Sequence, residues 1–166
     1  MQERGAAQHA PPLLLRVLEH TRGQRCHPDL LHGQAVGLSG LGALVAFCRE
    51  VMPLDEERLD EARVVMAFSQ EAAHDPARAA HNNRYMHRWR DSVAGWVAEA
   101  RTAGDVAGHV DLASWVDALL AFLLGTQITA VLDPANVTPA HLERQLTAQL
   151  VLVRVSAGAT GGGQVT

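Results

Sequence analysis

From Leu41 onward, apolar residues recur three and four positions apart, and β-branched residues never alternate with polar ones over a useful length. One period is present and the other is missing, so helices are the only regular element on offer. The spacing predicts an all-α chain. Prolines and glycines then divide it. Leu41 to Met52 reads as a helix stopped by Pro53, which cannot extend the hydrogen-bond ladder. Asp75-Pro76 pairs a capping residue with a proline at the first helical position, and predicts a helix from about Ala77 to Ala103, ended by Gly104. A further helix spans Asp111 to Leu132 and stops at Asp133-Pro134. Thr138-Pro139 opens the last, which the pattern carries to about Val155.

The stretch "PLDEERLDEARVVMAF", residues 53–68, places five carboxylates in its first nine residues and then turns apolar. Asp55, Glu56 and Glu57 fit a first helical turn, where carboxylates meet unsatisfied N–H groups and the positive end of the dipole. The inner stripe is then Leu59, Ala62, Val65 or Met66, and Ser69. Residues 1–40 are less organised: Pro12 to about Arg22 fits one short helix, and a Gly- and His-rich segment follows. The tail from residue 157, rich in glycine, is expected to be flexible. The expected division is therefore 1–40, 41–156 and 157–166.

At 166 residues the chain has one domain's worth of sequence, and 48% apolar residues exclude a disordered segment. The net charge is −4, and all 14 basic residues are arginines spread along the chain, so no phosphate-tracking surface is expected. Two cysteines, Cys26 and Cys48, are no disulfide framework and fit reduced thiols in a cytoplasmic protein. The N-terminus has no signal-peptide pattern. The most apolar stretch, Val116 to Leu132, carries Asp117, Thr126 and Gln127, and is read as a core helix rather than a membrane span.

Nothing in the residues points to catalysis, a cofactor or a metal. The nine histidines lack closed-site spacing, and His81 and His87 point to different faces of one helix. No phosphate loop and no nucleophile elbow is present. The aromatics say more. Tyr85, Trp89 and Trp96 lie along one helix with Met86 beside them, and Met66 and Phe68 lie on the helix before. Polar-tipped aromatics with methionine suit an apolar small-molecule pocket and suit a filled core equally. The last two helices are apolar nearly all round: Trp115, Leu119, Phe122 and Leu123 on one, Leu142, Leu146, Leu150 and Val153 on the other. Such helices bury more than one side, which predicts either a homodimer through a four-helix bundle or an internal helix hairpin.

The ordered set "MPLDEERLDEARVVMAF", "HDPARAAHNNRYMHRWRDSVAGWVAEARTAGDV", "DLASWVDALLAFLLGTQITAVLDP" and "NVTPAHLERQL" resembles the ligand-binding and dimerisation domain of TetR-family (tetracycline-repressor-like) transcriptional regulators, in the choline-responsive branch. The resemblance implies a non-enzymatic regulator whose effector sits among the middle helices. Phe47, Met66, Phe68, Tyr85, Trp89, Val93 and Phe122 become the pocket candidates on that basis. Leu119, Leu123, Leu142, Leu146 and Leu150 fall on the helices that form the family's dimer interface. Two departures are visible. Family members often carry Asp-Gly in the penultimate helix, where this chain has Leu124-Gly125, so the expected effector is small and largely apolar rather than cationic. Residues 1–40 hold no recognisable helix-turn-helix, so DNA is expected to be read only through a domain not seen in this chain. The expected partners are thus a second copy and an effector, with no membrane. A stand-alone helical interaction protein with a solid core is the other reading.

Overall fold

The computed structural model describes residues 37–154, and all regular elements in that range are helical. They are α1 (Gly40–Val51), α2 (Glu56–Ala72), α3 (Pro76–Thr102), α4 (Leu112–Leu132) and α5 (Pro139–Val151). The expected helix at Pro12–Arg22, the histidines flanking Cys26 and the flexible tail lie outside the described residues.

The local chemistry explains each boundary. Asp55 caps α2 by accepting from the Arg58 N–H at 2.8 Å. Asp75 caps α3 twice, accepting from the N–H groups of Ala77 and Arg78, with Pro76 in the first turn. Asp111 accepts from Ala113 N–H and from the Ser114 hydroxyl to open α4, and Thr138 accepts from His141 N–H to open α5. Each cap supplies an acceptor to N–H groups that have no partner inside the helix. The end of α3 closes with two bonds, Asp105 N–H to Ala100 C=O and Gly104 N–H to Arg101 C=O. Gly104 takes φ +87° there, a left-handed conformation that side chains resist.

One boundary differs from expectation. The last helix stops at Val151 rather than near Val155, because the chain turns and Val153 buries itself in the core. Val106 and Arg154 then form an isolated antiparallel bridge, and Val153 C=O accepts from Ala107 N–H at 2.9 Å. Burying Val153 outweighs one more helical turn.

α1 packs on α3, α3 on α4, and α2 against both α3 and α4. A single core cluster joins Leu44, Phe47, Cys48 and Met52 of the α1 region to Trp89, Val93, Trp96 and Val97 of α3. It continues through Trp115, Leu119 and Leu123 of α4 to Leu142, Leu146 and Leu150 of α5. Each fully buried side chain of this size contributes ~1.5–3 kcal/mol of transfer free energy. α4 is long and apolar enough to cross a membrane. In this fold it is the central helix, with Trp115, Val116, Leu119, Leu120, Leu123, Thr126, Gln127 and Ala130 buried.

Candidate functional site

α1 is held at both ends, and this fixes what its middle presents. At its start Gly40 has φ +53° and lies against Ala100 of α3, and its N–H donates to the Glu99 carboxylate at 3.0 Å. At its finish Arg49 pairs with Glu143 of α5, Glu50 with Arg58 of α2, and Val51 C=O accepts from the buried Gln127 amide of α4 at 3.0 Å. These ties set the rotation of α1, so that Phe47 faces α3.

Phe47 meets two indoles there. Its ring is edge-on to Trp89, with centroids 5.3 Å apart and planes at 86°. It is tilted by 50° against Trp96 at 5.5 Å. Edge-to-face geometry sets the positive ring edge against the negative face of the partner, a gain of about 0.5–1.5 kcal/mol beyond area burial. Val93 lies between the two tryptophans in sequence and is fully buried, while Met86 and Phe122 are half-buried and pack against the same cluster. All of these side chains except the indole N–H groups are apolar. The cluster brings no charged side chain.

Of the pocket candidates, Phe47, Trp89 and Val93 therefore come together, with Phe122 at the edge. Phe68 is buried on α2 but lies outside the main cluster, and Met66 beside it is half-buried. Tyr85 is half-buried and turned elsewhere: His81 packs against its edge at 5.0 Å and the Arg88 guanidinium sits 4.4 Å from its ring centre. Trp96 is the residue that the candidate set lacked. Its signal was present, since Trp89 and Trp96 are seven residues apart and so share a helical face. The five leucines assigned to an interface, Leu119, Leu123, Leu142, Leu146 and Leu150, are all buried inside the chain itself. The apolar residues that α4, α5 and its end leave to solvent are Ile128, Leu132, Val151 and Leu152.

The polar groups near this core are few. Among the described residues, Thr126 and Gln127 are the buried polar side chains. The Thr126 hydroxyl is closed by a bond to Leu123 C=O at 2.7 Å. Gln127 uses its NH₂ on Val51, while among the described residues its Oε1 has no hydrogen-bond partner. Cys48, one position from Phe47, is fully buried, and desolvation pushes its thiol up to about 12. It is a packing residue and no nucleophile. No three His, Cys, Asp or Glu side chains among the described residues gather as a metal site.

Known proteins bear on this arrangement. Residues 41–153 match a family model described as the C-terminal domain of BetI-type transcriptional repressors, within the TetR group. Among solved structures, a transcriptional regulator from Rhodococcus sp. Rha1 aligns with a TM-score of 0.64 and 27% sequence identity. The alignment covers 84% of this chain and 80% of that one. No curated protein matches.

Proposed function

The chain belongs, through residues 41–153, to the BetI-type transcriptional repressors of the TetR family, and we propose that this domain binds a small, largely apolar effector and pairs with a second copy of itself. It is a regulator domain and not an enzyme. The observation that carries the effector reading is the meeting of Phe47 with Trp89 and Trp96 between α1 and α3, in a domain of a repressor family. α1 is the first helix of the matched region, so a ligand that displaces Phe47 moves the element nearest to whatever precedes it. DNA is then read by a helix-turn-helix outside the described residues, and the effector shifts the balance between two spacings of two such readers. That shift equals the difference in effector affinity between the two states.

Pairing in this reading uses α4 and α5, but not through the five buried leucines. A side chain already without solvent exposure has nothing further to bury against a partner, so those leucines back the interface from inside. Ile128 and Leu132 on α4, with Val151 and Leu152 at the end of α5, are the large apolar side chains left for contact.

Two of the three tryptophans, Trp89 and Trp96, touch Phe47, so intrinsic fluorescence reports on that contact directly. Titration with uncharged aromatic and aliphatic compounds should quench or shift that emission and raise the melting temperature by mass action. The direct contact of Phe47 with both indoles favours a second reading, a filled core serving dimerisation alone. A protein that stays indifferent to the whole compound set while sedimenting as a dimer would establish that second reading.

A further inference from the structure

The arginines are spread along the sequence, and folding gives most of the described ones a partner. Arg49, Arg58, Arg63, Arg78 and Arg90 each pair with at least one carboxylate. Arg101 donates to the carbonyls of Ala107 and Val110. Arg84 and Arg88 differ. They lie four residues apart on α3, both are exposed, and among the described residues neither has a carboxylate within ion-pair distance. Like charges at this spacing repel each other. No acidic residue occurs from Pro76 to Arg90 to offset them, in a chain that has 18 acidic residues against 14 basic ones.

Local contacts nevertheless hold both guanidinium groups in place. Arg84 Nη2 donates to His81 Nδ1 at 3.2 Å, which leaves the ring proton of His81 on Nε2 as a further donor. Arg88 lies over the ring of Tyr85, 4.4 Å from its centre, and His81 meets the same ring at 5.0 Å. Each arginine reaches back to a residue three positions earlier, so both side chains lean toward the start of α3. Asp91, three residues after Arg88, is on the side that Arg88 leans away from. The two cations are therefore about one turn apart, ~6 Å at the helical rise. Stacking on Tyr85 engages a face of the Arg88 plane and leaves its edge, which carries the N–H groups, open to solvent. Groups held in this way lose less freedom when an anion binds.

The count of charges and donors selects the anion. A carboxylate has one charge and two oxygens, and one guanidinium fork satisfies it. Two forks match a group with more of both. A phosphate monoester carries about −1.5 to −2 charge and three acceptor oxygens. We propose that Arg84 and Arg88, with His81 beside them, form a binding site for a small phosphate monoester on the exposed face of α3. This site is separate from the contact of Phe47 with the two indoles and does not depend on the effector reading.

Titration of the whole chain at constant ionic strength tests the site, because exposed charges are screened by salt. The probes are phenyl phosphate, inorganic phosphate and benzoate, and the readout is the arginine Nε–Hε resonances, assigned with Arg84→Gln and Arg88→Gln. The signals of Arg84 and Arg88 should shift saturably with both phosphates and need at least about tenfold more benzoate. The double variant should lose saturation while keeping its helical circular-dichroism spectrum, and Arg144→Gln, at another exposed arginine, should bind as the wild type does. Shifts that grow linearly with phosphate overturn the proposal, as does equal saturation by benzoate or unchanged binding in the double variant. Saturation by phenyl phosphate without saturation by inorganic phosphate supports it and assigns part of the recognition to the organic body of the ester. Should the double variant not fold, the residue-resolved titration of the wild type still decides.

Discussion

Phe47 and Tyr85 are both aromatic and both lie on the inner helices, yet they do different work. Phe47 is buried between two indoles, whereas Tyr85 is half-buried under Arg88. Phe47→Ala should therefore destabilise the fold by about 3–5 kcal/mol in urea denaturation, since the cavity cannot collapse between Trp89 and Trp96. Tyr85→Ala should cost less than about 1 kcal/mol by the same measurement, chiefly the lost cation–π contact. Cys48, next to Phe47, gives a prediction with a sign. Its folded pKa is raised from 9.0 to about 12 by burial, so its contribution to stability is complete below pH 9. That contribution is lost as pH rises from 9 through 12, where the unfolded thiol ionises first. In a Cys26→Ser background the remaining thiol should react with Ellman's reagent at pH 8 at least about a hundredfold slower than free cysteine, and at the free rate once denaturant unfolds the chain. Fast labelling of the native protein would contradict the burial of Cys48.

The helices owe their limits to single residues, and each limit can be moved singly. Asp75 satisfies two N–H groups at the start of α3, so Asp75→Ala should lower stability by about 1 kcal/mol, seen as a reduced urea midpoint at an unchanged slope. Gly104→Ala forces a side chain into φ +87° and should cost about 1–2 kcal/mol, although nothing crowds the position. Asp111 adds a pH dependence. Hydrogen bonds from Ser114, and then from the backbone of Ser114 and Ala113, hold its carboxyl below the ordinary 3.8. A depressed folded pKa gives stability that is present above 3.8 and disappears as pH falls through the folded value. Asp111→Asn should accordingly flatten the acid limb of the melting temperature below pH 4 while leaving the alkaline limb in place. An unchanged acid limb would show that the cap does not bind its proton differently in the two states.

At the level of the molecule, the question is which surfaces of α4 and α5 remain after the core is built. Leu146 is buried in the chain, so Leu146→Ala should unfold it more readily, by about 2–5 kcal/mol, whatever the assembly state. Ile128 and Leu132 are exposed, the latter 71%. Replacing both with glutamate should leave the helical circular-dichroism spectrum intact and convert a dimer to a monomer in sedimentation velocity. A double variant that remains dimeric would move the interface elsewhere. The comparison of the two substitutions separates folding from pairing, which the apolar pattern of these helices does not do on its own.

Most of this architecture was legible because its causes are local. Helical periodicity, the acidic caps and the prolines act over four or five residues, and they placed all five described helices to within a few positions. The one misplaced limit, the end of α5, came from a non-local cause: Val153 leaves the helix to enter a core built by distant segments. The candidate site divided along the same line. That Trp89 and Trp96 share a face follows from their spacing of seven. That Phe47 meets both of them and that Phe68 lies outside that cluster depend on how α1, α2 and α3 are rotated against one another, whereas Arg88 and His81 meet Tyr85 as neighbours three and four residues away on α3. Gln127 shows the division most clearly. In sequence it is a polar interruption of an apolar helix. Its partner Val51 is 76 residues away, so only the packing of α4 against the end of α1 decides that half its amide is used and half is left open.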